Sequence, residues 1–168
     1  MLGRMIWRDR AGSVAVEAAM IVPMFLLLIL GTLELGIMLF DNAALDGAAR
    51  AAARTVRTGQ VQLSGSGPAI FQSALCAKLT GIIDCNAVAV DVRAFPSFGA
   101  LSLPPLANPA AGLPSTVFDP GDAGQIVAVR ALYHYGFIVP MIGTLLSGDG
   151  RWLVSTVIFR NEPFRAGS

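Results

Sequence analysis

The sequence predicts an α+β fold: a long N-terminal helix, transmembrane in its first half, packed with a small antiparallel β-sheet of about three strands and a second short helix. Three observations predict it. From Ala18 to Phe40 only Glu34 carries a charge, and such a run at ~1.5 Å per residue covers the ~30 Å hydrocarbon core of a bilayer. Alanine-rich sequence then prolongs the helix well past the apolar run. Beyond it, three stretches alternate apolar and polar residues with the period of two that marks half-buried strands.

The first stretch, 1–12, holds Arg4, Arg8, Arg10 and Asp9 and has no core-forming pattern. The helix is expected over 13–58, roughly 45 residues or about 65 Å. Pro23 falls inside it, where a membrane helix tolerates a plain kink. Its upper half has an apolar stripe of Leu45, Ala48, Ala49, Ala52 and Val56, an Asp46–Arg50 pair at i,i+4, and Gly59 as a stop. Two rows of small residues, Ala43–Gly47–Ala51 and Ala44–Ala48–Ala52, allow close helix approach. Packing on the chain's own domain and packing on another helix both fit them.

The outer portion, 59–168, is expected to be one small domain. Gln60–Gly67 reads as a Gly/Ser linker, and Pro68–Thr80 as a short helix ended by Gly81. The first strand is Ala87–Phe95, with Val88, Val90 and Val92 on one face and Asp91 and Arg93 on the other. Pro96–Gly124 is a long Pro/Gly-rich loop. Gln125–Tyr135 is the second strand, Gly136–Gly150 an apolar connection containing Ile138, Pro140 and Met141, and Arg151–Arg160 the third strand, with Trp152, Val154, Thr156 and Ile158 on one face.

Charge sets orientation and excludes some functions. Arginines before the run and Asp41 and Asp46 after it put the N-terminus in the cytoplasm and everything after Phe40 outside. A net charge of +1, with Lys78 the only lysine, argues against nucleic-acid binding. Cys76 and Cys85 follow the membrane run. They read as a disulfide if that side is oxidising and as free thiols if it is not; with the orientation just given, the disulfide is expected.

No Ser/His/Asp, Cys/His or zinc spacing is present, so neither an enzyme nor a metal or cofactor is expected. His134, the one histidine, reads as a strand residue that packs or faces water. Asp119 and Asp122 lie in a Pro/Gly turn, where local hydrogen bonds are common. Ser64–Gly67 lacks the lysine of a phosphate loop. Glu34 lies about 8 Å past the middle of the apolar run, and an intramembrane carboxyl points to a contact with a bundle partner.

Gly12-Ser-Val-Ala-Val-Glu17 resembles the class III leader junction of type IV pilin-like proteins. Ala18–Phe40, followed by Asn42-Ala-Ala-Leu-Asp-Gly-Ala-Ala-Arg-Ala-Ala-Ala-Arg54, is similar to TadE-like pseudopilins of the tight-adherence (Flp) pilus system. The late Arg160-Asn-Glu-Pro-Phe164 and the cysteine pair fit the same family. Ala18 stands where the major Flp pilins usually carry Tyr, and the outer domain exceeds a major pilin, which points to a minor pseudopilin. The resemblance implies cleavage by a prepilin peptidase between Gly12 and Ser13, and pairing of Glu17 with the new Ser13 amine of a neighbouring subunit during assembly. It implies as partners other pseudopilins, the major pilin and the inner-membrane assembly platform. It implies a single-pass inner-membrane protein with a periplasmic C-terminal domain, able to join an extracellular pilus. The alternative is an uncleaved bitopic anchor whose outer domain binds a partner of a secretion machine.

Overall fold

The computed structural model describes residues 10–105, 116–146, 148 and 150–164. Most of the first stretch (1–9) and the middle of the Pro/Gly-rich loop (106–115) lie outside the described residues. The first helix, α1 (Arg10–Arg57), is 48 residues long and runs through both Gly12 and Pro23. From Gly12 to Leu26 it is exposed, with Met20 at 73% and Met24 at 78%; Leu27, Ile29 and Gly31 are half-buried. By length and composition it is able to cross a membrane. It ends where Gly59 takes a left-handed φ of 79°, the conformation that terminates a helix and that glycine adopts without steric cost. A β-carbon at Gly59 would also lie 2.5 Å from the Phe164 ring.

The expected linker is not extended. It contains a single helical turn, α2 (Gln60–Leu63), in which Val61 is buried against the core while Leu63 stays exposed. Helix α3 (Gly67–Leu79) follows, with Pro68 in its first turn and Phe71, Leu75 and Leu79 buried on one face at i, i+4, i+8. Gly81, at φ 79°, turns the chain toward the sheet.

The sheet is an antiparallel meander, β1 (Val88–Phe95), β2 (Ile126–Gly136) and β3 (Gly150–Arg160), in the order β1-β2-β3. Helix α4 (Pro140–Leu146) occupies the β2–β3 connection. Register puts Val92 opposite Val129 and Val129 opposite Val157. Since side chains alternate across a strand, Val88, Val90 and Val92, then Val127, Val129 and Ala131, then Leu153, Ser155 and Val157 share the face that meets α1 and α3. The α1 stripe of Leu45, Ala48, Ala49, Ala52 and Val56 is fully buried against it. Small residues there let the helix lie close to the sheet, and Asp46 accepts a hydrogen bond from the Ser155 hydroxyl at 2.8 Å. That bond, with Arg50 at i,i+4 (2.9 Å), holds the Asp46 carboxyl below its usual pKa range.

Trp152, Val154, Thr156 and Ile158 share a face, as expected, and it is the one turned away from α1. One strand expectation changes. Asp91, expected on an open face, is buried at 1% exposure. The long loop returns along the free edge of β1, making a parallel bridge between Val92 and Phe118, and from there Val117 N–H donates to the Asp91 carboxylate at 3.0 Å. Arg93 Nε and the buried Arg130 Nη2 donate to the same carboxylate at 2.9 and 3.1 Å, while Arg130 Nη1 donates to the Pro104 carbonyl. Covered on both faces, β2 is buried from Ile126 to Leu132.

Candidate membrane-contact and assembly site

At the start of α1, Gly12 has open space where a side chain would stand. Ser13 and Glu17, four residues apart, lie on one face of the helix, and the Ser13 hydroxyl donates to Glu17 Oε1 at 3.4 Å on an exposed turn. All three residues are exposed. A site built only from helix surface is suited to recognition by another protein or by lipid.

Glu34 is different. It is 2% exposed, and its partners are in its own chain. Oε1 accepts from Tyr135 Oη at 2.7 Å and from Ile138 N–H at 2.9 Å, and Oε2 accepts from Val139 N–H at 3.0 Å. The carboxylate therefore ties the membrane helix to the end of β2 and to the two residues before α4. Pro140, which has no N–H to lose, opens α4 as the residue type favoured there. Burial first, and then the adjoining carboxylate, hold the Tyr135 phenol above its ordinary pKa, so it stays a protonated donor. Sequence reasoning placed Glu34 against a bundle partner and missed Tyr135, which lies 101 residues away.

The two small-residue rows separate. Ala48 and Ala52 are fully buried, so the Ala44 row belongs to the chain's own core. Ala43 and Gly47 are exposed and line a shallow groove with Phe40, Lys78 and Ile82.

The C-terminal Arg160–Phe164 segment clasps the top of α1. Glu162 N–H donates to the Arg57 carbonyl at 3.0 Å, satisfying one of the last helical carbonyls, and Glu162 pairs with the Arg57 guanidinium at 3.1 Å. Asn161 Nδ2 donates to the Pro120 and Asp122 carbonyls, fixing the loop. Asp119 accepts from Gly121 N–H at 3.1 Å, a local turn bond of the kind its setting predicts.

Cys76 and Cys85 form a disulfide with a Cα–Cα distance of 5.4 Å, joining α3 to the turn before β1. Closing a loop of about ten residues in the unfolded chain gives about 2.5–3 kcal/mol in the chain-entropy model. The Cys76→Ser/Cys85→Ser protein should unfold that much more easily in a denaturant titration, and mass spectrometry of trapped wild-type protein should find no alkylated thiol.

His134 is exposed and meets Trp152 edge-on at 5.1 Å. Among the described residues, no group of three or more His, Cys, Asp or Glu could hold a metal ion.

No curated protein and no solved structure matches the chain. Residues 12–54, from the Gly12 junction to the end of the alanine-rich stretch, match the model of the family described as TadE-like protein, and over that segment the chain is similar to that family.

Proposed function

We propose that this chain is a minor pseudopilin of the tight-adherence (Flp) system, anchored in the inner membrane by α1 with its C-terminal domain in the periplasm. A prepilin peptidase would cut between Gly12 and Ser13. The observation that carries this reading is the family match beginning at Gly12, coupled with an apolar stretch of α1 that is exposed from Gly12 to Leu26. Such a helix needs lipid before assembly and helix partners after it. Cleavage frees an amine at Ser13 beside Glu17. In a low-dielectric setting, an amine–carboxylate pair between neighbouring subunits would be strong. Other pseudopilins, the major pilin and the assembly platform are the partners this implies, in pilus biogenesis and surface adhesion.

N-terminal sequencing of the protein from cells with and without the prepilin peptidase tests the reading. Mature protein should begin at Ser13 only when the peptidase is present. Gly12→Leu should leave the chain uncut, whereas Glu17→Ala should be cut yet accumulate in the membrane unassembled. An identical N-terminus in both strains would favour the uncleaved anchor.

A further inference from the structure

We propose that the β2–β3 end of the domain is a second membrane contact, in which residues 137–146 rest in the interfacial layer of the bilayer leaflet from which α1 emerges. The inference rests on reading α1 as membrane-spanning, and it concerns what the domain does at that membrane.

Depth comes first. From Ser13 to Glu34 the helix rises about 32 Å, matching a hydrocarbon core of ~30 Å. With Ser13, the first residue after the proposed cut, set at the inner boundary, the outer boundary falls at Glu34 and not at Phe40, the end of the apolar run, and Leu35–Phe40 stand at headgroup level. At that same boundary the domain is tied down. Glu34 holds the amides of Ile138 and Val139, and a β-carbon at Gly31 would lie 3.8 Å from Ile142 Cδ1, so α4 packs one turn deeper still.

The exposed side of this tip is apolar. Ile142 is turned inward at 6% exposure, while Ile138 is 62% exposed and Met141 54%. In water, such a pair at the start of a short helix and just before it is an unsatisfied apolar surface. Beside α1 at Gly31 it is continuous with Leu30 and Leu33, which are also exposed.

The rim has the chemistry of a headgroup layer. Arg151, exposed, pairs in register with Tyr135, and Trp152 with His134. Because Tyr135 bonds Glu34, Arg151 and Trp152 stand near the Glu34 level. Trp sits at membrane–water interfaces, and Arg lays its stem on apolar surface while its head reaches phosphate. An apolar tip with a Trp/Arg rim, fixed at the depth where α1 leaves the hydrocarbon, fits a lipid surface. The contact would hold the domain at a set height and tilt over the bilayer.

Site-directed spin labelling of the full chain tests this, because the two native cysteines are locked together and leave no free thiol among the described residues. Single Leu28→Cys, Met141→Cys and Ser66→Cys variants would be labelled and reconstituted into phosphatidylcholine/phosphatidylglycerol vesicles. Collision with oxygen, which partitions into lipid, is then compared with collision with a water-soluble nickel chelate. Leu28→Cys should favour oxygen strongly and Ser66→Cys nickel, with Met141→Cys shifted several-fold from the Ser66 ratio toward oxygen. A Met141 label that matches Ser66 while Leu28 reports lipid overturns the tip contact alone. So does a Met141 label shielded from both reagents, which would mark a protein occupant. A water-exposed Leu28 label would sink the anchor reading and this inference with it.

Discussion

Asp91→Ala should be among the most damaging substitutions in the outer domain, costing about 3–5 kcal/mol. The Asp91 carboxylate is the only charge in hydrogen-bond contact with Arg130 among the described residues, and Arg130 is 4% exposed. Removing it strands a cation in the interior, the case in which breaking a buried pair costs most. Arg130→Met should cost much less, about 1–2 kcal/mol, because Asp91 keeps Arg93 and the Val117 amide while the desolvated guanidinium is gone. Denaturant titration of the two variants checks the order, and equal losses would show that the carboxylate is not the centre of the cluster. Burial by itself would raise the Asp91 pKa; Arg93, the Val117 N–H and Arg130 outweigh it and hold the carboxyl below its ordinary 3.8. A depressed folded value means that this stability is fully present above about pH 4 and is lost as pH falls through the folded pKa. Wild-type protein should therefore lose stability below pH 4 more steeply than Asp91→Asn.

That cluster also marks where the sequence stops being readable. The helix, the strands and the antiparallel order were legible because each depends on short-range periodicity and on turn residues such as Gly59 and Gly81. The Asp46–Arg50 pair was legible for the same reason. Asp91 was not. On β1 its alternation with Val90 and Val92 is that of a solvent-facing residue, and its burial depends on a loop with no period returning to Val117. The buried face of β3 was equally hidden. Trp152, Val154 and Ile158 are as apolar as Leu153, Val157 and Phe159, so only register against β2 separates the two sets. The Glu162 clasp on Arg57 and the Tyr135 bond to Glu34 each join residues more than 100 positions apart, and nothing local announces them.

The small-residue rows show the same division within one helix. A row of Ala and Gly states that something comes close, but not what. The structure assigns Ala48 and Ala52 to the chain's own sheet and α3, and leaves Ala43 and Gly47 exposed beside Phe40. Sequence spacing places the two rows about 100° apart on the helix, too close for composition alone to distinguish them.

Glu34→Leu should insert into the membrane as well as wild type and yet destabilise the domain by about 3–5 kcal/mol. Insertion is not threatened, because a carboxyl at the edge of an apolar span makes partition harder, not easier, and leucine removes it. The loss comes from the other side of the contact. Tyr135 Oη and the amides of Ile138 and Val139 all donate to this one carboxylate. Hydrogen bonds to charged groups are worth about 1.5–3 kcal/mol each, and a buried donor left without an acceptor costs further. Glu34→Gln should lose less, since its carbonyl oxygen still accepts while its amide group faces donors it cannot satisfy. Tyr135→Phe should lose least, about 1.5–2 kcal/mol, because only one bond to the carboxylate is removed. Thermal unfolding of the detergent-solubilised proteins gives the series, with roughly 10 °C expected for Glu34→Leu in a chain of this size. Carbonate extraction from membranes verifies that insertion is unchanged. Reduced piliation in a Glu34→Leu strain would then follow from a domain that no longer holds its place on α1. If Glu34→Leu melts with wild type while a complex is lost, the carboxylate serves a neighbouring subunit, and its bonds to Tyr135, Ile138 and Val139 are incidental to stability.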